Sequence, residues 1–99
     1  MSIVFAEPDA LGGAAGELMS INAAMRAGSS AAAGPTTAVV PAAADLVSLL
    51  TASQFANHAN LYQAISAQAA AVQEQLATIL GLSAASYGIT EAANAAAIA

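Results

Sequence analysis

Along the second half of the chain, apolar positions return in alternating steps of four and three: Thr51, Phe55, His58, Tyr62, Ile65, Ala69, Val72, Leu76 and Ile79. No Pro or Gly interrupts the stretch, so the pattern predicts one helix carrying a heptad seam about four repeats long. Leu46, Leu49, Leu50 and Leu61 lie off that seam and Leu80 widens it, which makes the helix apolar over more than one face. A thinner seam precedes it, stepping through Leu11, Ala15, Leu18, Asn22, Met25, Ser29 and Ala32. Its small and polar positions suit the close approach of another helix.

The punctuation between the seams sets expected boundaries. Pro8 suits a first helical position, where its missing N–H is no loss, and Glu7 and Asp9 place negative charge at the positive end of the helix dipole. Gly34, Pro35 and the Val39-Val40-Pro41 run stop that helix and favour extended backbone. Helix 1 is therefore expected over residues 8–33, a connector over 34–41 and helix 2 over 42–81, with Pro41 or Asp45 opening helix 2 and Gly81 ending it. So short a connector folds the helices back antiparallel. Residues 1–83 then make the hairpin, led by an apolar arm with Ile3, Val4 and Phe5, and 84–99 form a flexible tail weakened by Gly88, Ile89 and Thr90. The fold class is all-α, an antiparallel two-helix hairpin with one apolar flank that helix 1 cannot cover. That flank is where a partner helix pair would complete a four-helix bundle.

Composition sharpens this reading. The chain has 99 residues, is rich in alanine and has few aromatics, so large side chains for a private core are scarce. Arg26 is the single basic residue, against Glu7, Asp9, Glu17, Asp45, Glu74 and Glu91, for a net charge of −5. Nucleic acid and acidic membrane surfaces need Lys/Arg clusters and are poor candidates as partners on that ground; membrane association is not predicted from the sequence. The stretch from Leu46 to Gln73 is free of charge but holds Gln54, Asn57, His58, Asn60, Gln63 and Gln68, too polar for a bilayer core. Without a basic n-region, the start of the chain does not read as a signal peptide.

Little of the inventory serves chemistry. With one His, no Lys and no Cys, no metal cluster, Cys/His pair or phosphate loop can be assembled, and no cofactor site is expected. The serines have no strand-turn-helix elbow around them. His58, between Phe55 and Tyr62 on the seam, reads as an interface imidazole, and the two aromatics as packing residues. No catalytic residue is assigned, and the chain is read as a non-enzyme.

Four blocks in order carry a family resemblance: MSIVFAEPDAL, PTTAVVPAAADLVS, SAQAAAVQEQLATIL and SYGITEAANAAA. Together they are similar to the N-terminal domain of mycobacterial PE proteins, over essentially the whole chain. One departure stands in the first block, where the family's Pro-Glu pair is Pro8-Asp9, which keeps an acid in the first helical turn. The sequence carries no long Gly-rich or enzymatic extension, so the lipase-like activity of some relatives is not expected.

The resemblance implies an obligate heterodimer with a PPE-family protein, exported through a type VII (ESX) secretion system with an EspG-type chaperone bound to the PPE partner. The chain would be cytosolic before export and secreted or at the cell surface after it. The expected partner interface comprises Leu11, Leu18, Met25, Leu46, Leu50, Phe55, Leu61, Tyr62, Ile65, Val72, Leu76 and Ile79. The family's export signal, a Tyr and an acid four residues apart, matches Tyr87 and Glu91. Two other readings stay open on the residues alone. One is a membrane- or outer-envelope-associated pore or transport component, motivated by the positive mean hydropathy; the other is a self-associating homodimeric bundle, weakened by the proline-bearing connector and the absence of Trp.

Overall fold

The computed structural model describes residues 6–98, so the apolar arm with Ile3, Val4 and Phe5 lies outside the described residues. Two long helices account for most of the described chain: α1 over Pro8–Thr37 and α2 over Leu46–Ile98, with no strand among the described residues. Their residues divide into two compact units, Asn22–Ala71 and the pairing of residues up to Ile21 with those from Val72 onward.

Each helix opens as its first-turn chemistry dictates. Pro8 is the first residue of α1, and the Leu11 amide donates to the Glu7 carbonyl at 3.0 Å. Asp45 caps α2: one carboxylate oxygen accepts from the Ser48 amide and the other from the Ser48 hydroxyl, both at 2.9 Å. These bonds, the one from the Ser48 amide first, hold the Asp45 carboxyl below its usual range. Helix 2 therefore starts at Leu46 rather than at residue 42.

The expected helix ends need correction. α1 runs through Gly34 and Pro35 to Thr37, because one missing N–H costs a single intrahelical bond while the turn is held from beyond it. The hydroxyls of Thr36 and Thr37 donate back to the carbonyls of Ala32 and Ala33, and the Ala38 amide donates to the Gly34 carbonyl. The connector is thereby shifted to residues 38–45, the same length as expected. α2 likewise passes through Gly81 and reaches Ile98, so the tail expected to be flexible is helical. No glycine has a positive φ, which leaves no left-handed stop at Gly81, and a helical Gly costs only about 1 kcal/mol against Ala.

Within Asn22–Ala71 the helices run antiparallel, as Asn22 against Ala70 and Ser29 against Gln63 establish. The buried apolar positions of this unit are Ala52, Ala59 and Ala70, and the Asn22 side chain is buried with them. In the other unit Ala15, Ala77 and Ala84 are buried, Leu11 and Leu18 are half-buried, and Pro8 lies 3.8 Å from where a Cβ on Gly88 would stand. No large side chain is fully buried among the described residues.

Two measurements follow from this packing. Ala77 is only 3% exposed, so Ala77→Leu should overpack its site and lower stability by about 1–3 kcal/mol, read as a lower urea midpoint of helicity. Asp45 has its carboxyl held low in the folded chain, so its capping contribution is complete above the unfolded carboxylate range near 3.9 and is lost as pH falls through the lower folded value. Asp45→Ala should thus speed amide exchange in the first turn of α2 at pH 7, and the difference from the parent should shrink in acid as the carboxyl protonates.

Candidate functional site

The inward seam of α2 is a row of small and polar residues with one large apolar member, Leu80. Ala52, Ala56, Ala59, Gln63, Ser66 and Ala70 in one unit, then Gln73, Ala77, Leu80 and Ala84 in the other, are its buried or half-buried positions. They step by four and three, as do the expected apolar positions, but stand one residue later in the chain. One residue is about 100° around a helix, so the large side chains face away from the line along which α2 is covered.

The exposures agree. In Asn22–Ala71, Phe55 is 60% and Ile65 64% exposed, and Leu46, Leu50, Leu61 and Tyr62 are exposed as well. Val72, Leu76 and Ile79 are exposed in the other unit, at the same heptad phase. Of the α1 residues named from the sequence, Leu11 and Leu18 are half-buried in line with buried Ala15, while Met25 is exposed. The named α2 residues are thus left uncovered within each unit, whereas Leu11 and Leu18 stand with Ala15 on the covered side of α1.

At the connector end of Asn22–Ala71, this face borders a cleft of about 410 Å³ lined by Pro35, Thr36, Val39, Phe55, His58 and Tyr62, among others. Its walls are mostly apolar, and His58 is its one imidazole. No group of three or more His, Cys, Asp or Glu that could hold a metal occurs among the described residues. No helix of the described residues is long and apolar enough to cross a membrane.

A polar cluster that the sequence does not announce lies on the inward seam. The Ser29 hydroxyl donates to Gln63 Oε1 at 3.2 Å, Gln63 Nε2 donates back to the Ser29 carbonyl at 3.0 Å, and the Ser66 hydroxyl lies 3.1 Å from the Ser29 hydroxyl. Beside it Asn22 Nδ2 donates to the Ala70 carbonyl at 3.3 Å, and its buried Oδ1 has no hydrogen-bond partner among the described residues. The only signal in the sequence was the small-residue heptad, which is silent to a search for large apolar positions. Tyr87 and Glu91, four residues apart in α2, share one helix face; Tyr87 is 48% exposed and Glu91 half-buried.

Small residues inward and large apolar residues outward on two long helices define an all-α protein whose bulkiest side chains are left uncovered by its own fold. A family profile described as PE family matches residues 4–94. The PE family protein PE13 of Mycobacterium tuberculosis (strain ATCC 25618 / H37Rv) is 56% identical over 97 residues, 98% of each chain. PE8 of the same organism is 46% identical over 99 residues, all of this chain but 36% of its own length. PE_PGRS11, a PE-PGRS family protein also from that organism, is 52% identical over 91 residues, 92% of this chain and 16% of its own length. The chain belongs to the PE family.

The outward placement of the α2 row sets an expectation for the free chain. Ile65→Gln and Leu76→Gln should change its stability by no more than about 0.5 kcal/mol, because neither side chain is covered. Binding of a hydrophobic dye should fall in both variants, and a large loss of helicity in either would place these residues in a core instead.

Proposed function

We propose that this chain is a non-enzymatic interaction protein that forms a heterodimer with a PPE-family protein, whose helix pair covers the outward row of α2 and completes a four-helix bundle. The observation that carries the reading is the exposure of Phe55, Tyr62, Ile65, Val72, Leu76 and Ile79 on helices already closed against each other through alanine. Monomeric soluble proteins rarely leave so many large apolar side chains in register on one face, and such faces are where a partner's helices dock. The cleft beside Phe55 and Tyr62 offers room for a large apolar side chain of that partner.

On this reading the pair is exported by a type VII secretion system with an EspG-type chaperone on the PPE protein, and works at the cell surface or beyond. Tyr87 and Glu91 form the export signal, already presented on one face of α2. What supports that role is the resemblance of the SYGITEAANAAA block, together with the helical spacing.

Coexpression with PPE-family proteins tests the proposal. The chain alone should melt at a lower temperature and tend to associate, whereas the pair should elute as one species and melt at a higher temperature. Phe55→Ala or Ile65→Ala should each weaken capture by about 1–3 kcal/mol, roughly tenfold or more. A compact monomer that melts cooperatively and captures no PPE protein overturns the reading, and tight flotation of the assembled pair with liposomes would favour a membrane role instead.

A further inference from the structure

We infer that the Ser29–Gln63–Ser66 cluster is a register key, which selects one axial alignment of α1 on α2 from several that the alanine seam would accept almost equally. The seam of Asn22–Ala71 contains no large side chain that interlocks: its buried apolar positions are Ala52, Ala59 and Ala70. A slip by one heptad moves α1 by about 10 Å and sets its small residues Ser29, Ala32 and Ala33 against small residues of α2 again. Packing alone therefore discriminates poorly between alignments.

The connector does not supply the missing discrimination. From Ser29 to the end of α1 is about 12 Å, and from Gln63 back to the start of α2 about 26 Å, an offset of about 14 Å that residues 38–45 bridge. Slipping by one heptad changes that offset to about 4 or about 24 Å, and eight extended residues reach about 27 Å. Both slipped alignments are thus open to the chain.

The polar cluster, by contrast, distinguishes them. In the observed alignment Ser29 and Gln63 exchange two hydrogen bonds, and Ser66 donates to the Ser29 hydroxyl, whose own hydrogen is engaged by Gln63. A slip in either direction sets Ala56 or Ala70 opposite Ser29 and carries Asn22 or Thr36 opposite Gln63, so the two bonds that Ser29 and Gln63 exchange and the bond from Ser66 are all lost. Asn22 contributes less to the choice, because it donates to a backbone carbonyl and every helical turn presents one. Polar residues at otherwise apolar core positions act in this way in paired helices, at a cost in stability. The consequence for a partner, that its contacts meet the outward row at one fixed alignment, rests on the function proposed above; the key itself does not.

The chain has no cysteine, so spin labels can be placed on the full-length protein as Ala24→Cys and Gln54→Cys, both exposed, and the sample diluted with unlabelled chain to exclude distances between copies. The parent should give one narrow distance by pulsed electron resonance. S29A/Q63A/S66A should keep its helicity but give a broad or multiple distribution. Transplanting the key with A56Q/A59S/Q63A/S66A should restore one narrow distance, shortened by up to about 10 Å. A broad distribution in the parent, an unchanged narrow peak in either variant, or loss of helicity in both overturns the inference. Because no partner is present, these outcomes are independent of PPE capture.

Discussion

The contact on which everything else depends is methyl against methyl. Ala15, Ala52, Ala59, Ala70, Ala77 and Ala84 are the buried apolar residues of the described chain, and side chains of that size let two helices approach closely. The same choice leaves no large side chain fully buried among the described residues, and Leu11, Leu18 and Leu80 only half-buried. A buried methyl contributes about 0.8 kcal/mol, whereas ordering one residue's backbone costs about 1–2 kcal/mol, so an alanine seam is a weak holder of the helices it joins. The fold closes tightly and gains little by closing, and its larger apolar reserve remains on the outside.

How much of this was legible in the residues depends on their size. The α1 seam is legible from Leu11 to Ala32 except at Met25, since Ala15 and Asn22 on it are buried and Leu11, Leu18, Ser29 and Ala32 half-buried, whereas Met25 is exposed. Pro8 and Asp45 marked helix starts because capping is local chemistry. The inward face of α2 was not legible. Two heptad rows run side by side along it, one of Phe55, Tyr62, Ile65 and Leu76, the other of Ala56, Gln63, Ser66 and Ala77, and hydrophobicity singles out the first while packing uses the second. Periodicity gives the step between contacts; it does not say which of two neighbouring rows is covered.

The helices run past Gly34 and Gly81 for a related reason. Gly81 and Pro35 are penalties of limited size, and a penalty stops a helix only where nothing beyond it favours continuing. Beyond Gly81 the sequence lacks large periodic residues but keeps small ones in phase, with Ala84 buried and Gly88 beside Pro8. Beyond Pro35, two threonine hydroxyls return to the carbonyls of the preceding turn. In both places the support comes from residues that carry almost no hydrophobic signal.

The outward row also differs from most helical interfaces in what it lacks. From Leu46 to Gln73 there is no charged side chain, so across that span no ion pair can steer a partner or reject a wrong one. Apolar contact is tolerant: a row of Leu, Ile and Phe accepts many complementary rows at similar free energy, and heptad spacing lets it accept the same row at several offsets. Discrimination must then come from shape held at a fixed alignment, since a pattern that repeats every seven residues is informative only when its phase is fixed. In Asn22–Ala71 the groups that can fix it are those of Ser29, Gln63 and Ser66, on the inner seam rather than on the face that a partner would touch. On the function proposed above, specificity on the outside of such a hairpin is inherited from hydrogen bonds on its inside.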